Sequence, residues 1–405
     1  TVGLMTRVCQ VGVAVSIVVD IFLPVVFGSV DELVVYSRAL RAGALPDGID
    51  HRQWRRRLLR SRLALIGVLL LYCGVTTMMA DFPVEAADKW AWVWKALIFA
   101  LFLPLTLRTR LRIESAALVM VLAVGAIIID GGIKTIAGGG GYGELHLFIN
   151  DNIGLYEGSI ISAVAIAVIP LVLWLMKHST IFPSDWRVKL FGTALIFACV
   201  LIPIGTQART GLLCIGLLGV LSLRTVKRRF LYITLAVVGA LVAVPFLPDS
   251  YTKRMSTIEN HGSDESASTR VAVWMWTLDY VKDHPFGGGF DAYRSNKLLI
   301  PTVVAEGSGN NVTLKTTLHV DQSRAYHSAY FEMLGEQGYA GFALWAWIQL
   351  LGIWQMERLR RRWGGRQEPA EAWIAPLANA LQLSQLVYFL GAVFIGIAFQ
   401  PVMFM

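Results

Sequence analysis

The stretch A-Y-H-S-A-Y-F-E-M-L-G-E-Q-G-Y-A-G-F-A-L, Ala325 to Leu344, decides how the rest of the chain is read. Its one histidine, His327, opens a short helical pattern, with Phe331 and Leu334 at the i+4 and i+7 positions, so that face is apolar. Gly338 predicts a helix stop and Gly341 the start of the next element. From Gly341 the chain turns membrane-grade apolar. A titratable imidazole therefore lies one short helix from a bilayer surface. Taken alone, a histidine at a helix start is a structural residue; the rest of the chain gives it another meaning.

The chain is 55% hydrophobic and only 16% charged, with mean hydropathy +0.57, whereas soluble domains carry about 25% charged residues. Repeated apolar runs of about 20 residues predict an all-α polytopic integral membrane protein. About 10–12 transmembrane helices and one large exterior loop, helical in pattern, are expected. The chain begins at Thr1 rather than Met, as a trimmed N-terminus would, and shows no signal peptide with a cleavage site. Cys9, Cys73, Cys199 and Cys214 all fall in apolar runs without CxxC spacing, which reads as small core residues rather than metal ligands or a disulfide framework.

Spans are expected over Val8–Val30, Leu63–Ala80, Trp90–Leu107, Ile113–Asp130, Ser159–Met176, Leu190–Ile204, Leu212–Leu223, Phe230–Leu247 and Phe342–Met356. Ala370–Phe404 is too long for one straight span and predicts a tilted helix or a broken pair. Asp20, inside the first run, reads as a bundle-facing structural residue. The basic clusters (His51–Arg62, Arg108–Arg112, Lys177–Lys189, Leu223–Arg229, Arg358–Trp363) fall on alternate connections and mark one side as cytoplasmic. They are topology signals, not a nucleic-acid surface. The glycine run in Asp130–Tyr142 lacks phosphate-loop spacing and reads as a flexible exterior loop, with Lys134 snorkelling to the interface or meeting an anionic headgroup. Pro248–Arg324 is the longest polar excursion, with helical pattern at Ser268–Lys282, a turn at Asp283–Phe290 and a less ordered part around Ala305–Thr317. The expected organisation is transmembrane helices over 1–247, an exterior loop domain carrying the reactive motifs over 248–340, and C-terminal transmembrane helices over 341–405.

Arg209, in G-T-Q-A-R-T-G, sits between two apolar spans on the side opposite the basic clusters. It is either an interfacial anchor or an anion clamp, since a guanidinium stays charged and matches phosphate oxygens bidentately. Arg270, in S-T-R-V-A-V-W, stands in the exterior segment, and Arg254 is a weaker version of the same signal. Exterior arginines near the bilayer suit a lipid-linked diphosphate, whose negative charge grows as its bond breaks. His327 would then be the base, with an ordinary pKa of about 6.5. Glu332 and Glu336 do not share its face and read as helix-fixing or domain contacts. The absence of a DxD-like pair or a zinc-spaced His/Cys cluster favours chemistry without a metal, and no cofactor is expected.

At these residues the sequence resembles the O-antigen ligase/polymerase family of bacterial inner-membrane proteins. H-S-A-Y-F-E-M-L-G-E-Q-G-Y-A-G (His327–Gly341) matches the family's histidine followed by E-x-G-x-x-G, and H-P-F-G-G-G-F (His284–Phe290) its P-x-x-G-x-G-F element. Q-A-R-T-G stands where these proteins keep an arginine after an apolar span, and Arg254–Trp274 resembles the segment carrying their second arginine. The resemblance runs from about Leu63 to Leu350. It implies a GT-C-type glycosyltransferase of the inner membrane, with its active site at the periplasmic face and a donor polysaccharide on undecaprenyl diphosphate. For a ligase, the acceptor is a sugar hydroxyl of lipid A-core. Arg209 and Arg270 would hold the diphosphate, His327 would activate the acceptor, and displacement would invert the anomeric centre. D-G-G-I-K and N-D-N-I-G (Asp130–Lys134, Asn150–Gly154) depart from many ligases and look more like a branch associated with exopolysaccharide or protein O-glycosylation.

A polymerase or a protein O-oligosaccharyltransferase would use the same chemistry. A polysaccharide-lipid transporter would not, and it calls for mid-membrane charges, broken helices or paired halves. Here the distinctive charges gather on one face and no half-repeat is visible, which favours an enzyme.

Overall fold

A computed structural model describes residues 51–141, 157–183, 185–225, 265–306, 313–365 and 371–400, with a few isolated positions between them. The expected first span with Asp20 and Cys9, most of the expected span at Phe230–Leu247, Arg254, and the N-D-N-I-G segment lie outside these residues.

Nine α-helices are described: α1 (His51–Met78), α2 (Pro83–Thr106), α3 (Arg110–Gly138), α4 (Gly158–His178), α5 (Trp186–Gly205), α6 (Arg209–Ser222), α7 (Glu265–Asp283), α8 (Ala329–Trp363) and α9 (Ile374–Ala392). Helices α2 to α5 are long and apolar enough to cross a membrane; α6 and residues 62–78 of α1 are shorter apolar helices. Helix α4 is the centre of the bundle, with 83% of its apolar window buried, against 28% for α2 and 33% for α5. Its Ala163, Ala165 and Ala167 allow close approach on more than one side, and α3, α5, α6 and α9 all pack on it. The outward faces of α1, α3, α6 and α8 carry Leu71, Met78, Ile133, Ile136, Val220, Trp347 and Leu350, large apolar side chains suited to lipid.

The helices alternate in direction, so the bundle has two distinct ends. At the basic end, Arg110 donates to the His178 carbonyl at 2.7 Å, and Arg224 donates to Asn379 and Gln382. The opposite end gathers the α1–α2 turn, the end of α3, the start of α6, and α7 with the start of α8.

Three sequence expectations change here. The glycine segment is not a loop from Asp130: α3 continues to Gly138, where Gly139 ends it in a left-handed cap (φ 72°). Lys134 pairs with Asp130 one turn back at 2.9 Å, and Gly131 and Gly132 are buried, with Gly132 packed closely on Ala198 of α5. The exterior segment is not wholly helical. It contains an antiparallel strand pair, β1 (Lys297–Glu306) with β2 (Thr313–Gln322), while residues 307–312, the middle of the part expected to be less ordered, lie outside the described residues. Val303 and Val304 in β1, and Thr313, Thr316 and Thr317 in β2, supply the β-branched residues that favour strands. Last, Ala370–Phe404 resolves into α9 followed by a non-helical stretch, 393–400, whose Ile395, Ile397, Ala398 and Phe399 are buried in protein.

The stop expected at Gly338 is a kink inside α8, with φ 64° and ψ −168°. That region is open essentially to glycine alone. A Cβ there would strike the backbone of Pro285 to Gly287, because the 285–289 turn lies against the kink: Tyr339 N–H donates to Pro285, Gly288 to the Gly335 carbonyl and Gly289 to the Glu336 carbonyl. The two glycine-bearing motifs are halves of one interlock. Gly338→Ala combines backbone strain of about 1–3 kcal/mol with overpacking of similar size. Thermal unfolding of the solubilised variant should register both.

Candidate functional site

His327 sits just before α8, in a left-handed backbone conformation (φ 46°), with Ser328 as the helix N-cap. Four contacts hold it there. The Trp274 indole on α7 donates to the Tyr326 carbonyl at 2.9 Å and stacks on Phe331 at 5.0 Å, nearly parallel. Asn296, fully buried at the foot of the hairpin, grips the next backbone unit: its amide donates to the Arg324 carbonyl (2.7 Å) and its carbonyl oxygen accepts from Arg324 N–H (3.0 Å). Phe331 therefore faces α7, in line with the apolar face read from the sequence, and Leu334 is 9% exposed.

Arg270 stands one turn before Trp274 on α7 and close enough to His327 to act on its charge. Burial lowers the His327 pKa below its usual value, and the cations Arg270 and Arg324 lower it further. The imidazole is thus kept neutral, with a free lone pair, to lower pH than in water. Arg324 is itself paired with Asp321. Arg209 opens α6 on a different part of the same end, after a tight turn in which Gln207 takes φ 55°.

The first half of α8 is anchored from below. Lys89 of α2 donates to Glu332 (2.7 Å) and to both oxygens of Glu336 (2.7 and 3.0 Å). Glu332 also accepts from Ala398 N–H, and Glu336 from Asp291 N–H. Tyr72 and Thr76 of α1 hold Gln337, and Asp81 N–H donates to Gly288. Glu332 and Glu336 are therefore the helix-fixing contacts expected. Lys89, Asn296 and Trp274 were not singled out from the sequence. Lys89, in A-D-K-W, stands immediately before the apolar span that begins at Trp90, and that place was its available signal; the other two carried none.

The described residues thus form a helical bundle, four of whose helices are long and apolar enough to cross a membrane, with His327 and Arg270 brought together at one end. Residues 193–346, which bear Arg209, Arg270 and His327, match the O-antigen ligase family, and residues 13–180 match a family of unknown function. No curated protein matches the chain. Residues 193–346 thus form a segment of the O-antigen ligase family, over the stretch whose motifs led one to expect that family. Proteins of this family are glycosyltransferase-like enzymes acting on glycans.

Proposed function

We propose that the protein is an O-antigen ligase of the bacterial inner membrane. It transfers polysaccharide from undecaprenyl diphosphate to a sugar hydroxyl of lipid A-core at the periplasmic face, by a GT-C-type, metal-independent route with inversion. The observation that carries the proposal is the placement of Arg270 beside a neutral, half-buried His327 on the end of the bundle away from the basic clusters. His327 takes the acceptor hydroxyl proton as the oxygen attacks the anomeric carbon. The bond from that carbon to the diphosphate oxygen breaks, and the electron pair leaves with the diphosphate. Arg209 and Arg270 bind that growing charge; preorganised cations in a water-poor site stabilise the transition state more than the ground state. Arg270 serves both partners, since a cation that holds the leaving diphosphate also keeps the base deprotonated.

The test is a gene deletion restored with wild type or His327→Ala, followed by lipopolysaccharide gel electrophoresis. A ligase deletion leaves bare core while lipid-linked polymer accumulates, and only wild type restores the ladder. Single repeat units on the core would instead assign a polymerase. An unchanged ladder would refute the lipid A-core acceptor and turn the search to exopolysaccharide or glycoprotein products. Loss of lipid-linked polymer from the periplasmic leaflet, with His327→Ala still active, would assign a transporter.

A further inference from the structure

The glycine run after α3, which the sequence reads as a flexible exterior loop, has a partner in the fold. It is packed against the turn that presents Arg209. Gly139, Gly140 and Gly141 all have positive φ (72°, 86° and 86°). Gly141 N–H donates to the Gly205 carbonyl at 2.7 Å, and a Cβ on Gly140 would stand 2.7 Å from the Gly205 Cα. Gly205 is the last residue of α5, four before Arg209. Between them the chain reverses through Thr206, Gln207 and Ala208, with Gln207 at φ 55° and Ala208 N–H donating to the Pro203 carbonyl. On its other side the turn is tied to α4, where Ser162 and Thr206 share a hydroxyl hydrogen bond of 2.8 Å. The turn is thus clamped between two elements, and the clamp on one side closes only because no side chain stands at Gly140.

We infer that Gly140 is a positioning residue for the donor. By letting the end of α3 close on Gly205, it sets the turn that aims Arg209 at the lipid-linked diphosphate. This rests on the reading of Arg209 as a diphosphate ligand. It also gives a task to the segment shared with the family of unknown function: residues 139–141 seat the arginine of the O-antigen ligase segment from outside it. A guanidinium fork binds phosphate well only in one orientation, and a shift of about 1 Å in a positioning group can cost 10²-fold in rate.

The three glycines supply their own controls, because all share a left-handed backbone. Alanine at Gly139 meets nothing within 4 Å, and at Gly141 only the end of the Gln207 side chain at 3.4 Å. Each of the three variants therefore carries similar backbone strain, and only Gly140→Ala pushes on Gly205. The full-length protein is reconstituted and titrated with undecaprenyl-diphosphate-linked glycan. Gly140→Ala is expected to lower kcat/KM for the donor by about ten- to a hundredfold, with the acceptor KM unchanged and Gly139→Ala and Gly141→Ala within about twofold of wild type. Equal effects from all three overturn the inference, because strain alone would then explain them. If Gly140→Ala does not accumulate, Thr206→Val loosens the same turn from α4, and an unchanged donor kcat/KM there overturns it equally. Arg209→Ala separates the two levels. If that variant keeps the wild-type donor kcat/KM, the diphosphate reading itself fails; if its kcat/KM falls while Gly140→Ala matches its controls, only the positioning role fails.

Discussion

Replacing His327 by alanine is expected to lower transfer by about 10²–10⁴-fold, the contribution typical of a positioned general base, with the amount of folded protein in the membrane unchanged. The second half of that expectation comes from the packing. The imidazole is only half buried, and the backbone around it is held through Tyr326, Arg324 and Phe331, none of which touches through the ring. The left-handed φ of 46° suits histidine better than alanine, but the added cost falls on one residue ahead of a helix that many other contacts hold. The pH profile gives an independent readout. Burial, then Arg270 and Arg324, hold the imidazole pKa below its usual value. A base must be unprotonated, so activity should persist as pH falls past about 6.5 and be lost only through the lower folded value. Transfer measured on membranes with lipid-linked donor decides the assignment: undiminished turnover by His327→Ala removes the histidine from the mechanism, and an acid limb at or above the ordinary value removes the electrostatic account.

The parts of this protein visible in its sequence are those where one signal dominates. Apolar runs against a sparse charge background located the helices, because a membrane leaves the backbone few other choices. The histidine motif located the start of α8, and R-V-A-V-W located α7 within a few residues. The parts that were missed depend on pairing between distant segments. The hairpin is an example: Pro301 lies in the first strand, so only the ladder itself, with Pro301 opposite Leu318, makes them strands. The glycine run is another, since glycine reads as loop unless one knows that Gly205 lies against it. Glu332 and Glu336 were legible as fixing residues, yet their cation is more than two hundred residues away in sequence and cannot be found by local spacing.

That cation carries the second large expectation. Lys89→Met should destabilise the protein by about 3–5 kcal/mol, the usual cost of removing one partner from a buried ion pair. The side chains of Lys89, Glu332 and Glu336 are only 13%, 10% and 0% exposed, so neither carboxylate can turn to water when the ammonium goes. Burial already pushes the Glu336 carboxyl up to about 8, so without the ammonium it takes up a proton beside Glu332, one helical turn away on α8, and the charge-assisted contacts that hold the helix are lost. Strain would pass directly to the interlock at Gly338 and to the Asp291 and Ala398 N–H groups that the same carboxylates accept from. The control is the triple variant Lys89→Met, Glu332→Gln, Glu336→Gln. Amides keep most of the shape and can still accept from those two N–H groups, and neutral replacements of a buried ionic cluster are often tolerated. It should therefore recover much of what the single change loses. Thermal unfolding of the solubilised proteins separates the outcomes. A single variant as stable as wild type means that the cluster is better hydrated than its burial indicates. A triple variant as poor as the single one means that Lys89 acts through packing on Phe290, 5.6 Å from its ammonium, and not through charge. Only the ordering wild type, triple, single is consistent with an anchor in which one buried cation holds the histidine-bearing helix by its two carboxylates.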